Sequence, residues 1–329
     1  MNVFRLRRRG ATCSALLALA ATVVPVPASA ADAYPSRAVR MIIPFAAGGG
    51  ADAVARLLGN GLAERLGQPV IADNRSGAGG IIGVEAGARA APDGQTLTFV
   101  PSSFTMQPAL RKLPYDPLRS FVPIARVGKG EYVLAINPSV PAKTVKEFIA
   151  HAKRNPGKLL FATAGAGSTA HLFIELFKLR AGIDLTVVHF KGGGQQVTDV
   201  LGGHTHGTML SLPAVRPHIL SGDLRGLATA SLERSPAFDG MPTLHESGLP
   251  GFEAIVWWGV LAPAGTPVSI TGRLEREMKA VLSLAETRKA FASQGVEPDF
   301  QDGATFRAFL AKEIAAWTEV VKKAGIELQ

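Results

Sequence analysis

The stretch "VRMIIPFAAGGGADAVARLL", residues 39–58, decides how the chain is read. Val39, Met41, Ile42 and Ile43 make a short apolar run of the kind that fills a buried strand. The run breaks on Pro44 and three consecutive glycines, Gly48 to Gly50. Apolar residues then return at Val54, Leu57, Leu58 and Leu62, the spacing of a helix with one buried face. A strand that turns through glycine into a helix leaves the first helical N–H groups unpaired, and they carry partial positive charge. Glycine also lets another backbone or a ligand come close. Such a corner suits an anionic group, most simply a carboxylate or a phosphate.

The design recurs. "FATAGAGST" at 161–169 and "VHFKGGGQQ" at 188–196 each run from strand through glycine to helix. In α/β proteins ligands gather at corners of this kind, outside the C-terminal ends of strands. A fourth glycine stretch, "SGAGG" at 76–80, reads as tight packing. Strand and helix patterns alternate through "PVIADN", "IIGVEAGARAA", "QTLTFV", "YVLAIN", "TVKEFIAHAKRN", "TVVHF", "GTMLS" and "LRGLATAS". The alternation predicts an α/β fold with parallel sheets covered on both faces. "LPYDPLRSFVPIARV" reads as a proline-punctuated connection. In the last third, "FEAIVWWGVLAP" reads as a strand and helices follow, with "QGVEP" a turn among them. The final helix is amphipathic through Phe306, Phe309, Leu310, Ile314, Trp317, Val320 and Val321.

The N-terminus is read separately. Arg5, Arg7, Arg8 and Arg9 form a basic region, "ATCSALLALAATVV" an apolar one, and "PASA" offers a cleavage site after Ala30, with Ala33 as a second option. Residues 1–30 therefore read as a secretory signal peptide, which places the mature protein outside the cytoplasm. Removing its four arginines from 35 basic residues leaves 31 against 26 acidic ones, a net charge of +5. That excess is spread along the chain, with no aromatic-interleaved basic stripe, which argues against a nucleic-acid partner. The single cysteine, Cys13, leaves with the signal. The 299 residues that remain of 329 must be held by their core, and that length suits two domains. No later apolar run approaches the ~20 residues of a spanning helix.

Catalytic patterns are sparse. The chain has no G-x-S-x-G, no H-E-x-x-H and no P-loop lysine. Gly165-x-Gly167-x-x-Ala170 with Asp184 beyond it resembles a dinucleotide fingerprint, but soluble nicotinamide cofactors are not freely supplied outside the cytoplasm, and no cofactor is expected. Ser168 and His171 share a helix face and leave a remote hydrolase reading open, although no orienting acid is evident. His204-Thr205-His206 brings two imidazoles together without the further ligands of a metal site. Trp257-Trp258 on a strand can wall a cleft with one ring and fill the core with the other.

The ordered set "YPSRAVRMIIPFAAGGGADAVARLL", "APDGQTL", "LPYDPLRSFVPIA", "GAGSTAHL", "FKGGGQQVTDVLGGH", "LRGLATASLERSP" and "PTLHESGLPGFEAIVWWGVLAPAGTP" resembles the Bug family. These are the extracytoplasmic solute-binding receptors of tripartite tricarboxylate transporters. The resemblance runs from about Tyr34 to the C-terminus. It implies the two-domain Venus-flytrap fold of periplasmic binding proteins, each domain a sheet flanked by helices, with the ligand in the interdomain cleft. It implies a monomeric, non-enzymatic receptor whose partners are a small carboxylate solute and the permease subunits of a membrane transporter. A receptor of the same fold acting in sensing, without a transporter, is the second reading.

By the same resemblance two loops pinch the ligand. The first supplies Phe45, Ala46, Gly48, Gly49 and Asp52, although an Asp just inside a helix start also serves as a cap. The second supplies Thr163, Gly165, Gly167, Ser168 and Thr169, with Ser168 and Thr169 at the hydroxyl positions. Lys191 and Gly192 form the next corner, and Ser102 and Ser103 of "PSS" complete the set. The expected domains are 34–132 with 229–329, and 133–228, broken at "ARVGKGEYVLAIN" and "LRGLATAS"; a continuous split near residue 140 is the rival. Two positions depart from the family pattern. His206 stands where an acid is usual and Phe104 where a small or polar residue is usual, and both are expected to bear on specificity near the cleft.

Overall fold

A computed structural model of the chain describes Met1, residues 34–235, Phe238 and residues 240–324. The expected signal peptide lies outside these. The elements are β1 (Val39–Ile43), α1 (Gly50–Leu66), β2 (Val70–Asn74), α2 (Ile81–Ala88), β3 (Thr96–Pro101), α3 (Ser103–Leu110), β4 (Phe121–Ile136), α4 (Val145–Arg154), β5 (Leu160–Thr163) and α5 (Thr169–Ala181). There follow β6 (Thr186–His189), α6 (Gly193–Leu201), β7 (Gly207–Ser211), α7 (Leu212–Ser221), β8 (Arg225–Thr229), β9 (Ile255–Pro263), α8 (Val268–Ser283), α9 (Ala285–Ser293), β10 (Val296–Asp302) and α10 (Gly303–Ala324).

The strands join in the order β2-β1-β3-β9-β4-β7-β5-β6, with β10 and β8 also on β4. The long strand β4 organises the molecule. Phe121 to Glu131 pairs with β9, and residues of that same half pair with β10. Tyr132 to Ile136 pairs with β7, and Val133 to Ile136 with β8. One lobe thus holds β1–β3, β9, β10 and the first half of β4; the other holds β5–β8 and its second half.

Two expectations change here. Only the outer strands are parallel: β1 with β2 and β3, and β5 with β6 and β7. β4 and β9 run antiparallel to their neighbours, so each lobe carries a mixed sheet. The supposed connection at "FVPIARV" is the start of β4. A register shift between Pro123 and Ala125 accommodates the proline that lacks a ladder N–H, and a second lies between Arg126 and Gly128.

Each lobe builds its core from the faces the periodicity marks. Val54, Leu58 and Leu62 of α1 are buried with Val39, Met41 and Phe99. Phe148 of α4 and Phe177 of α5 pack with Phe161 of β5, the ring centroids of Phe148 lying 5.6 Å from Phe161 and 6.2 Å from Phe177. A second cluster gathers Phe104, Tyr115, Phe121, Trp257, Phe306 and Leu310 under α3 and α10. Further along α10, Trp317 lies 6.2 Å from Phe173 of α5, so the last helix touches both lobes.

Candidate functional site

Four helices begin around one small cavity of about 40 Å³ between the lobes. Gly49 caps α1 in an extended conformation, and Gly50 and Ala51 follow it on the cavity wall. Ser168 caps α5, with Thr169 and Ala170 behind it; Gly193 opens α6, and Ser211 caps α7. The first N–H groups of a helix have no acceptor within it, and each helix start carries roughly half a positive charge. Phe45, Pro101, Tyr132, Leu210, Val256 and Trp258 supply the remaining wall together with Ala164. No Asp, Glu, Lys, Arg or His lines the cavity. The arrangement attracts an anion by backbone dipoles, in a volume that holds about three water-sized groups.

The three glycines of the first corner do different jobs. Gly48 has φ +83°, a left-handed conformation that side chains resist. Gly50 is required by close approach: a Cβ there would sit 1.9 Å from Ser211 Oγ of the other lobe. Gly49 faces Gly193, where an added Cβ would come within 3.0 Å of the Gly49 Cα. The glycines therefore leave room both for a ligand and for the opposing backbone.

Asp52 braces this corner. Its carboxylate accepts from the Gly48 N–H at 3.0 Å, from Arg56 Nε at 3.0 Å and from Asn74 Nδ2 at 2.9 Å. Burial alone would raise its pKa, but the bonds from Arg56, Gly48 and Asn74 outweigh burial and hold the carboxyl below its ordinary value. Asp52 does not line the cavity.

The second corner is fastened across the lobes. Ser103 N–H donates to Thr169 Oγ1 at 3.0 Å. Gln107 Nε2 donates to Gly79 O at 3.2 Å and to Gly167 O at 2.8 Å, and Arg111 donates to Ala166 O. Gly79 thus packs against the opposing lobe: a Cβ on it would meet Ala166 O at 2.3 Å. Ser168 Oγ accepts from the His171 N–H at 3.3 Å as a helix cap. The His171 ring turns the other way, its Nδ1 accepting from the Gly167 N–H at 3.0 Å and its Nε2 lying 3.9 Å from Glu175. Ser168 and His171 therefore do not form a nucleophile–base pair. Burial, then the charges of His189, Lys178 and Arg111, pushes the His171 pKa down to about 4.

Of the ligand-binding residues expected from the resemblance, Phe45, Gly49, Ser168 and Thr169 line the cavity. Ala46, Gly48, Asp52, Ser103, Gly165, Gly167 and Gly192 build the loops behind it. A Cβ on Gly192 would lie 2.6 Å from Ala46 N, and one on Gly165 would lie 3.3 Å from Gly79 N. Ser102 Oγ accepts from Trp257 N–H, and Thr163 Oγ1 bonds with His189 Nδ1 at 2.7 Å. Lys191 is exposed. Trp258 faces the cavity while Trp257 packs on Phe306 and Phe309.

Both expected departures fall away from the cavity. Phe104 is buried among Tyr115 and Phe121, at centroid distances of 6.3 and 5.8 Å. His206 stands at the opposite end of β7 from Ser211, roughly 16 Å along the strand, and its Nδ1 accepts from the Leu160 N–H. A wider groove of about 910 Å³ lies near Glu131 and Glu297, but no helix begins in its wall. Among the described residues there is no cluster of ligands for a metal ion.

A two-lobed α/β chain with helix starts converging on an interlobe cavity has the geometry of a binding cleft. It belongs to the tripartite tricarboxylate transporter family receptors (TctC), whose model matches residues 54–326. The chain is 40% identical to the protein BugT of Bordetella pertussis, over the full length of both. Among solved structures it resembles the periplasmic binding protein BugD (TM-score 0.87, 33% identity, 90% of this chain and 100% of that one). An R. palustris protein with adipate gives a TM-score of 0.87 at 33% identity, covering 89% of this chain and 99% of that one. MatC from Rhodopseudomonas palustris with bound malate gives 0.83 at 30%, covering 88% and 100%. These relatives are solute-binding proteins rather than enzymes.

Proposed function

We propose that the chain is an exported periplasmic receptor that closes on a small carboxylate and presents it to the permease of a tripartite tricarboxylate transporter. The closing bodies are residues 34–132 with 229–329, and 133–228. The corners Phe45–Asp52 and Thr163–Thr169 hold the solute between them. One observation carries this reading: the starts of α1, α5, α6 and α7 meet at a cavity with no charged side chain in its wall. A carboxylate there takes its countercharge from backbone dipoles. Adipate and malate in two relatives support the ligand class. The test is native mass spectrometry of protein purified from its host, followed by thermal unfolding with the recovered acid. At 100 times its Kd, a ligand stabilises by about 2.7 kcal/mol. A retained solute without a carboxylate, or no stabilisation by any carboxylate, overturns the proposal. Loss of solute uptake on deletion of an adjacent permease gene tests the transporter link.

A further inference from the structure

Ser211 holds the hydroxyl that the cavity wall leaves unspent. It ends β7 and caps α7, and only 3% of its surface is exposed. A capping serine normally accepts from the second or third N–H of its helix. Here Pro213 fills the second position and has no N–H, and the Ser211 side chain makes no capping bond. Among the described residues its hydroxyl has no hydrogen-bond partner. Two other hydroxyls of the wall already accept from the backbone, Ser168 from the His171 N–H and Thr169 from the Ser103 N–H.

That hydroxyl lies against Gly50. Ser211 Oγ lies 1.9 Å from where a Gly50 Cβ would stand, so it overhangs the first residue of α1 from the opposite lobe. Gly50 and Ala51 belong to the first turn of α1, where N–H groups have no acceptor within the helix. An anion seated on those amides lies next to the Ser211 hydroxyl. A hydroxyl on the cavity wall with no protein partner can donate to a charged oxygen without giving up a bond.

We propose that Ser211 is a ligand-binding residue that donates its hydroxyl to the carboxylate oxygen seated on the start of α1. It thereby joins the solute to both lobes at once. This rests on the carboxylate reading above, and the experiment separates the two. Wild type, Ser211→Ala and Gly50→Ala, and the double variant, are titrated by calorimetry with sodium acetate, pyruvate, malate and adipate. Unliganded thermal unfolding is measured in parallel. Ser211→Ala is expected to weaken the acids that wild type binds by about ten- to hundredfold, with the unliganded Tm unchanged. Gly50→Ala is expected to abolish binding in the Ser211 background and to cost less when Ser211→Ala removes the facing oxygen, a coupling that a distant pair does not show. Equal affinity of wild type and Ser211→Ala overturns the Ser211 proposal alone. A drop in unliganded Tm with affinity intact also overturns it, assigning the residue to the scaffold. If wild type binds no carboxylate of the panel, the carboxylate reading falls and the Ser211 proposal falls with it.

Discussion

The backbone N–H of Ser103 and the hydroxyl of Thr169, 66 residues apart, meet at 3.0 Å and join the start of α3 to the start of α5. The bond is buried and crosses from one lobe to the other. Thr169→Val keeps the shape and removes the acceptor, leaving a buried N–H unpaired. The closed form is expected to lose about 1–3 kcal/mol, read as a lower Tm for the liganded protein than for liganded wild type. An unaltered liganded Tm would show that the bond contributes nothing to closure.

Gly79 is expected to be as sensitive as the glycines of the ligand corners. Its Cβ would lie 2.3 Å from Ala166 O across the boundary, so Gly79→Val holds the lobes apart. It also sits at φ +66°, which valine resists. Calorimetry should find carboxylate binding abolished in Gly79→Val; binding at wild-type affinity would remove Gly79 from the closing surface.

Stability should fall on acidification through His171. Its pKa is about 4 in the folded chain against an ordinary 6.5. Above pH 6.5 folded and unfolded chains are both neutral at this group, and its contribution is fully present. Between pH 6.5 and 4 the unfolded chain takes up a proton that the folded chain refuses, and stability is lost as pH falls. The loss is about 3 kcal/mol at most. His189, lowered chiefly by burial, acts in the same direction. His171→Asn offers an acceptor to Gly167 and has no proton to gain. Urea unfolding from pH 7 to pH 4 should show a shallower decline in that variant; parallel curves would exclude His171 as the source.

Malate is expected to bind more tightly than aspartate, which has the same skeleton with an ammonium in place of the hydroxyl. No acid lines the cavity to receive that ammonium, and the Asp52 oxygens are committed to Gly48, Arg56 and Asn74. A buried charge without a partner is costly, so a preference of at least about tenfold is expected. Competition calorimetry decides, and equal affinities would place an anionic group at the solute that the cavity wall does not show.

His206→Asp should leave the ligand profile unchanged, because the residue stands at the far end of β7. Phe104→Ala should act on stability instead, at about 3–5 kcal/mol for a large core ring, through the cluster with Tyr115 and Phe121. A changed profile in either variant without a matching loss of stability would contradict the geometry.

The strand–glycine–helix corners were legible because their signals are local: an apolar run, glycine, then a helical period. Elements without a local period were not. Helix α3 buries Phe104, Thr105, Met106 and Gln107 in succession and contains Pro108, so no single apolar face repeats. Strand β10 buries only Val296 and otherwise reads as polar loop. The cavity wall was harder still. Tyr132, Ser211, Val256 and Trp258 come from strand ends far apart in the chain, and only the pairing of β4 with both β7 and β9 brings them together. The resemblance pointed to the loops; it did not show which hydroxyls those loops had already used.

The placement of the aromatic residues gives the molecule a built-in optical gauge. The chain has three tryptophans. Trp258 stands on the cavity wall, Trp257 beside it in the packed cluster, and Trp317 against Phe173 of the opposite lobe. Emission from Trp258 senses what enters the cavity, and emission from Trp317 senses how α5 sits against α10. Single-tryptophan versions would then separate solute arrival from lobe movement in time, with no dye attached.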